Sequence, residues 1–223
     1  MKIPIWKRWW SHVRPVVLEE TGSDKNPELT VLLDQGRLQL LSGDAVYSWD
    51  DLYRNFFMAF AQLEIDKRDI EEVLVLGLGL GSVPYMLEMN FRQYYQYTAV
   101  EWDETVAELA EKYSLSRLES PVQVIVGDAY TFVAVSEEQH DMIVVDIFEG
   151  ELTPEQFETS EFLELCDDLL RPGGILLFNR LYGGNVDKDI ARRYYEETFK
   201  TVFPEAQYVD TGGNWVLYYE KPQ

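Results

Sequence analysis

Val73-Leu74-Val75-Leu76-Gly77-Leu78-Gly79-Leu80-Gly81-Ser82 is the stretch from which the fold can be read. Four apolar β-formers in succession predict a strand covered on both faces, as in the interior of a parallel sheet. Gly77, Gly79 and Gly81 predict a sharp turn whose backbone can approach a ligand with no Cβ in the way. A helix starting behind the turn would direct its free N–H groups and positive dipole end at that ligand.

Outward from this turn the pattern alternates strand and helix, which predicts a parallel sheet with crossover helices. Further strands are expected at 97–100, 122–126, 142–145 and 175–178. Asp103 is placed to cap one helix, and Thr153-Pro154 to open another that runs to Leu170. Arg171-Pro172-Gly173-Gly174 reads as a sharp stop before the fifth strand, residues 187–203 as a last helix, and 206–209 with 215–219 as two closing antiparallel strands. Upstream, apolar runs at 29–33 and 37–41 flank Asp34-Gln35-Gly36 and predict a β-hairpin. Ser48-Trp49-Asp50-Asp51 has the form of a capping box before an amphipathic helix carrying Tyr53, Phe56 and Phe60. The first 25 residues read as irregular. The expected architecture is α/β: a Rossmann-like seven-stranded sheet flanked by helices over 49–223, preceded by an N-terminal segment and hairpin over 1–48.

Three acids directly follow consecutive expected strands: Glu101, Asp128 and Asp146. Ligands of open α/β sheets bind outside the carboxyl ends of the strands, the edge that also carries the glycine turn. Glu101 falls 24 residues after Gly77, near where a nucleotide-binding fold places an acid for ribose hydroxyls. Asp128 is placed to accept from an exocyclic adenine amine, with Ala129 or Tyr130 offering a backbone N–H to the ring. The ligand expected is an adenosine. The turn reads G-x-G-x-G-S, with Ser82 where the dinucleotide fingerprint has its last glycine, which argues against NAD(P).

Composition narrows the partners. The formal charge of −21 argues against a nucleic-acid partner, which needs a basic face. Between Arg117 and Arg171 there is no Lys or Arg but 14 Asp or Glu, a stretch able to attract a cationic substrate. No run approaches the length of a membrane-spanning helix, so no membrane partner is expected. The N-terminal run, with Lys2, Lys7, Arg8 and Arg14 among Trp6, Trp9 and Trp10, lacks a signal peptide's apolar core, so a cytoplasmic location follows. The single Cys166 agrees with that. His12 and His140 show no metal-ligand spacing, so no metal site is expected. The three tryptophans are expected to pack on the domain first, then in a dimer interface, then on a membrane surface.

The order of hairpin, glycine turn, Ala99-Val100-Glu101, Val126-Gly127-Asp128-Ala129, Asp141-Met142-Ile143-Val144-Val145-Asp146 and Leu170-Arg171-Pro172-Gly173-Gly174 resembles the spermidine synthase family of class I S-adenosylmethionine-dependent methyltransferase-like proteins. The resemblance implies S-adenosylmethionine, or its decarboxylated form, as cofactor. It implies nucleoside contact by Gln39, a turn built on Gly77, Gly79 and Gly81, ribose binding by Glu101, adenine binding by Asp128 and Ala129, and catalysis by Asp146. Glu149, one turn beyond, is the expected helper, and Tyr47, Tyr130 and Tyr182 are candidates for cation–π contact. Three motifs depart from the family pattern, the first being Y-H-E, in whose place stands Ser48-Trp49-Asp50. Leu80 replaces the turn aspartate that holds the donor amine, and Asp146-Ile147-Phe148-Glu149-Gly150 replaces D-S-S-D-P. The expectation is therefore a spermidine-synthase-like methyltransferase acting on a small-molecule acceptor, with a cationic amine the candidate class. The alternatives are a polyamine aminopropyltransferase and a non-catalytic nucleoside-binding relative. A homodimer is the expected assembly by the same resemblance.

Overall fold

The expected hairpin is the centre of a sheet of its own. The computed structural model describes residues 3–43, 45–150 and 152–223; Met1 and Lys2 of the basic N-terminal run lie outside the described residues. A short helix α1 (Ile5–Trp10) precedes four antiparallel strands in sequential order, β1 (Val16–Thr21), β2 (Leu29–Asp34), β3 (Arg37–Ser42) and β4 (Ala45–Trp49). Strands β2 and β3 meet through Gln35 and Gly36, whose φ values of 50° and 78° are those of a primed two-residue hairpin turn. Alternate residues Leu29, Val31 and Leu33 bury one face, as strand periodicity requires.

Three expectations fail in this region. The first 25 residues are not irregular throughout, because α1 and β1 occupy part of them. Trp6, Trp9 and Trp10 do not pack on the domain but are exposed. The capping-box reading also fails: residues 45–49 form β4, and Asp50–Leu52 is a 3-10 turn before α2 (Arg54–Gln62). Ser48 instead shares a hydrogen bond of 2.6 Å with the Ser82 hydroxyl.

The second sheet follows the predicted alternation through β5 (Glu72–Leu76), α3 (Ser82–Met89), β6 (Gln96–Glu101), α4 (Glu104–Tyr113), β7 (Val122–Val126), α5 (Ala129–Val135) and β8 (His140–Val145). After a 3-10 turn at Glu155–Glu158 come α6 (Ser160–Asp168), β9 (Leu170–Leu181) and α7 (Asn185–Tyr194). A π-helical turn at Tyr195–Phe199 and a last helical turn at Lys200–Val202 extend α7. β10 (Gln207–Asp210) and β11 (Asn214–Glu220) close the chain. The cap of α6 is Thr159, whose Oγ1 accepts from the Phe162 N–H at 3.2 Å, and not Thr153. Pro172-Gly173-Gly174 does not end one element before another. It is a bulge within β9, between the pairs His140↔Leu170 and Met142↔Ile175.

The seven strands lie in the order β10-β11-β9-β8-β5-β6-β7, with β5 to β9 parallel and the last two antiparallel at the edge. Val73 and Val75 face Phe56, Phe60 and Met86 of α2 and α3, whereas Leu74 and Leu76 face the layer of α5, α6 and α7 with Phe162 and Tyr194. A strand buried on both faces explains the uninterrupted apolar run. The four-stranded sheet packs over α4 and the glycine turn, where Leu33 and Leu40 meet Val106, Leu109, Tyr113 and Leu80. Among the described residues no helix is long and apolar enough to cross a membrane.

Candidate functional site

The chain runs outward from β5 to β6 and β7, then returns to place β8 on the other side of β5, so the switch point lies between β5 and β8. Gly77 and Asp146 end these two strands. Gly77 has φ of 90°, and a Cβ there would stand 2.3 Å from the Asp146 carbonyl oxygen, so close strand approach demands glycine. Gly79, with φ of 54°, passes under β4, where a Cβ would meet the Tyr47 carbonyl at 3.4 Å. Trp49 N–H donates to Ser82 Oγ at 3.2 Å, which fastens the four-stranded sheet to the first turn of α3.

A cavity of about 1160 Å³ opens at this edge. Gly77, Gly79, Glu101, Asp128, Ala129, Asp146 and Glu149 all line it. Gln39 and Gly81 do not: Gln39 is buried in β3, and Gly81 precedes the first residue of α3. Leu80 is also absent from the lining, because its side chain is buried in the core beneath the four-stranded sheet. The replacement at position 80 therefore leaves no apolar group against a ligand in the cavity.

Glu101 reaches back under the glycine turn. Its Oε2 accepts from the Leu78 and Gly79 N–H groups at 3.2 and 3.0 Å, and its Oε1 from the Asp103 N–H at 3.0 Å. Two N–H groups of the turn are thus spent on Glu101 rather than directed at a ligand. A carboxylate offers about four acceptor positions, so roughly one remains for a ligand hydroxyl. Burial raises the Glu101 carboxyl pKa above its ordinary value.

Asp128 serves as the N-cap of α5. Its Oδ1 accepts from Thr131 N–H at 2.8 Å and Thr131 Oγ1 at 2.9 Å, and its Oδ2 accepts from Gln156 Nε2 at 3.0 Å. The carboxylate thus both caps a helix and ties the 155–158 turn to the cavity wall.

Asp146 is, with Glu101, an acid of the cavity whose pKa is raised. Burial, with a smaller contribution from Glu101, raises its pKa to about 6. Asn179 Nδ2 at 2.8 Å and Tyr53 Oη at 3.3 Å both donate to Oδ1, which leaves Oδ2 for a ligand. Asn214 Nδ2 donates to Asn179 Oδ1 at 2.9 Å and orients that amide. Glu149 is not one helical turn beyond Asp146. It is exposed in a loop closed by backbone hydrogen bonds between Glu149 and Leu152 of 2.8 and 3.2 Å.

Sequence reading missed Tyr53, Asn179 and Asn214. Tyr53 looked like part of an apolar helix face. Asn179 carried the available signal, a neutral amide directly after the apolar run 175–178, and register pairs Val145 with Phe178 just before Asp146 and Asn179. It also missed the 23–26 loop. There Ser23 and Asn26 donate to Asp103, Asn26 at 2.7 Å, and the Lys25 ammonium lies 3.6 Å from the Trp102 ring centroid. Of the three tyrosines considered for cation–π contact, Tyr47 lines the cavity. Tyr130 stacks on Phe162 at 5.9 Å between centroids, and Tyr182 on Trp215 at 4.0 Å.

Among the described lining residues the acids are Glu101, Asp128, Asp146, Glu149 and Glu155, against the cations Lys25 and Arg54. Such a field favours a cationic ligand. An adenosine bearing a sulfonium, beside an amine, is chemistry these walls can hold.

Comparison with known proteins agrees with that chemistry. The family model described as "Spermine/spermidine synthase domain" matches residues 51–211. A polyamine aminopropyltransferase of Vibrio vulnificus is 31% identical over 140 residues, covering 60% of this chain and 44% of that protein. An N-terminal histidine N-methyltransferase of Emericella nidulans is 32% identical over 138 residues, covering 59% of this chain and 23% of that protein. The chain thus spans less than half the length of either relative. A crystal structure of spermidine synthase in complex with the transition state analogue AdoDATO superposes with a TM-score of 0.69 at 16% identity, covering 92% of this chain and 73% of that one.

Proposed function

Because the chain belongs to the spermine/spermidine synthase domain family, we propose that it is a transferase alkylating a polyamine-type amine, with decarboxylated S-adenosylmethionine as the aminopropyl donor. The observation that carries this reading is Asp146, an acid of pKa about 6 at the switch point, held through Oδ1 by Asn179 and Tyr53. The donor supplies an electrophilic carbon on a sulfonium. The acceptor nitrogen attacks that carbon, the carbon–sulfur bond breaks with its electron pair going to sulfur, and the departing proton passes to Asp146 Oδ2. Most of the acceleration then comes from holding nitrogen and carbon in line.

In this reading Glu101 accepts from the ribose hydroxyls with its remaining acceptor position, and Asp128 and Ala129 face the adenine. Gln39, behind β4, acts on the nucleoside side through the wall and not by lining the cavity. Glu149 at the mouth meets the far end of a diamine. Leu80 lies away from the cavity and supplies no carboxylate to the donor ammonium, so in this reading that amine pairs with another acid of the lining.

Methyl transfer from S-adenosylmethionine is the second reading, favoured by Arg54 in the cavity lining. A guanidinium there suits the carboxylate that only the undecarboxylated donor carries. The two readings release different products. Incubation with each donor and a panel of diamines and polyamines should yield methylthioadenosine from the decarboxylated donor, and none from Asp146→Asn. S-adenosylhomocysteine as the product would replace the first reading with the second. Binding of a donor without turnover of any acceptor would remove both.

A further inference from the structure

The N-terminal helix sits the wrong way round for a soluble protein. Helical hydrogen bonding begun in α1 continues past it, with Ser11 N–H donating to Lys7 O at 3.0 Å and Arg14 N–H to Trp10 O at 3.2 Å. At 3.6 residues per turn, Ile5, Trp6, Trp9, Trp10 and Val13 fall within an arc of about 140°, and Lys7, Arg8, Ser11, His12 and Arg14 fill the remainder. An amphipathic helix ordinarily turns its apolar arc to the core. Here the docking residue is Ser11 of the polar arc, while Lys7 and Arg14 lie 5.9 and 5.6 Å from the Trp6 and Trp10 ring centroids, beside the apolar arc. Ser11 is buried, its Oγ accepts from Gly36 N–H at 3.0 Å and its carbonyl from Gln35 N–H at 3.0 Å, so the β2–β3 turn holds the helix by its polar side. The apolar arc faces outward, with Ile5, Trp6, Trp9, Trp10 and Val13 exposed by 74, 65, 76, 49 and 76%.

The charge of this segment is opposite to that of the rest of the protein. Lys2, Lys7, Arg8 and Arg14 precede the first acid, Glu19, in a chain whose net charge is −21. Indole rings flanked by Lys and Arg have the composition of a segment that lies in the interfacial layer of a bilayer. The acidic body does not prevent this, since at 0.1 M salt its field is screened beyond a Debye length of about 10 Å. A second copy of the chain is the poorer occupant. A two-fold contact through this helix would set the same patch of both copies together, bringing Lys7, Arg8 and Arg14 of one copy against those of the other.

We propose that residues 3–14 are a peripheral anchor that seats the protein on an anionic phospholipid surface. Trp6, Trp9 and Trp10 lie at headgroup level, and Lys7, Arg8 and Arg14 reach the lipid phosphates. The expectation of no membrane partner rested on the lack of a spanning segment, which a surface helix does not need. The anchor is independent of which group the active site transfers.

The test is co-sedimentation of the full chain with vesicles of phosphatidylglycerol and phosphatidylcholine, against phosphatidylcholine alone. Partition to the anionic vesicles should exceed that to neutral ones at least tenfold and fall with salt. It should be lost in the Trp6→Ala/Trp9→Ala/Trp10→Ala variant. No residue of α1 is buried, so that variant should keep the wild-type circular dichroism and Tm, which separates loss of anchoring from loss of fold. Equal partition of the wild type and the variant overturns the proposal. So does a concentration-dependent dimer, seen by sedimentation equilibrium, that the same substitutions abolish without any lipid binding.

Discussion

Asp146 owes its pKa of about 6 to two opposing causes: burial raises it, and the donors Asn179 and Tyr53 lower it. A hydrogen bond to a charged group contributes about 1.5–3 kcal/mol, or roughly 1–2 pKa units for the ionised form. Asn179→Ala removes the closer donor and favours the protonated acid, so the Asp146 pKa should rise. A base works only when deprotonated, so the ascending limb of kcat/KM should move from near pH 6 to higher pH by about 1 unit. Asn179→Asp would place a second carboxylate beside the first and should move it further. A limb unmoved by Asn179→Ala would remove Asp146 as the base. The neighbouring Tyr53 hydroxyl is held protonated by burial and by the Asp146 charge, so it stays a donor throughout this range.

At the scale of elements, the junction between the two sheets depends on a buried ion pair. Asp50, the residue after β4, has a positive φ of 32°, accepts from Leu38 N–H at 3.0 Å, and meets Arg117 Nη1 at 3.2 and 3.1 Å. Arg117 follows α4 and lies 4.3 Å from the Tyr85 ring centroid on α3, so one guanidinium links β3, α3 and α4. Breaking such a pair from one side costs about 3–5 kcal/mol, because it leaves a buried charge without a partner. Arg117→Ala should therefore lower Tm by roughly 10 °C for a protein of this size, measured by calorimetry. Asp50→Asn in the same background should restore part of the loss. The motif around Asp50 was visible in the sequence, but its role was not. A Ser-x-x-Asp spacing suits a capping box as well as it suits a strand end, and only the contact with residue 117 separates the two.

For the whole molecule the dominant property is the acidic field. With a charge of −21 and, among the described residues, five acids against two cations around the cavity, the field attracts a cation such as the amine acceptor proposed above. Salt screens that attraction, so KM for a polyamine should rise roughly tenfold between 0.05 and 0.5 M NaCl while kcat changes little. A salt-independent KM would show that the acids act only as a solvated surface.

Much of this architecture is present in the chain's local pattern. A strand buried on both faces must be apolar throughout, a turn with positive φ selects glycine, and acids after successive strands must collect at one edge of a parallel sheet. Those rules act over a few residues, so 73–82, Glu101, Asp128 and Asp146 were legible before any fold was known. Tertiary structure decided the rest. The return of β8 to the side of β5 set Asp146 against Gly77, and strand register brought Asn179 beside it. The direction in which the glycine turn leaves β5 sent Leu80 into the core of the other sheet, and the docking of α1 by its polar side left three tryptophans in water. Each of these depends on which distant segments pack together, an outcome of the burial and hydrogen bonding of the whole chain that no local spacing encodes.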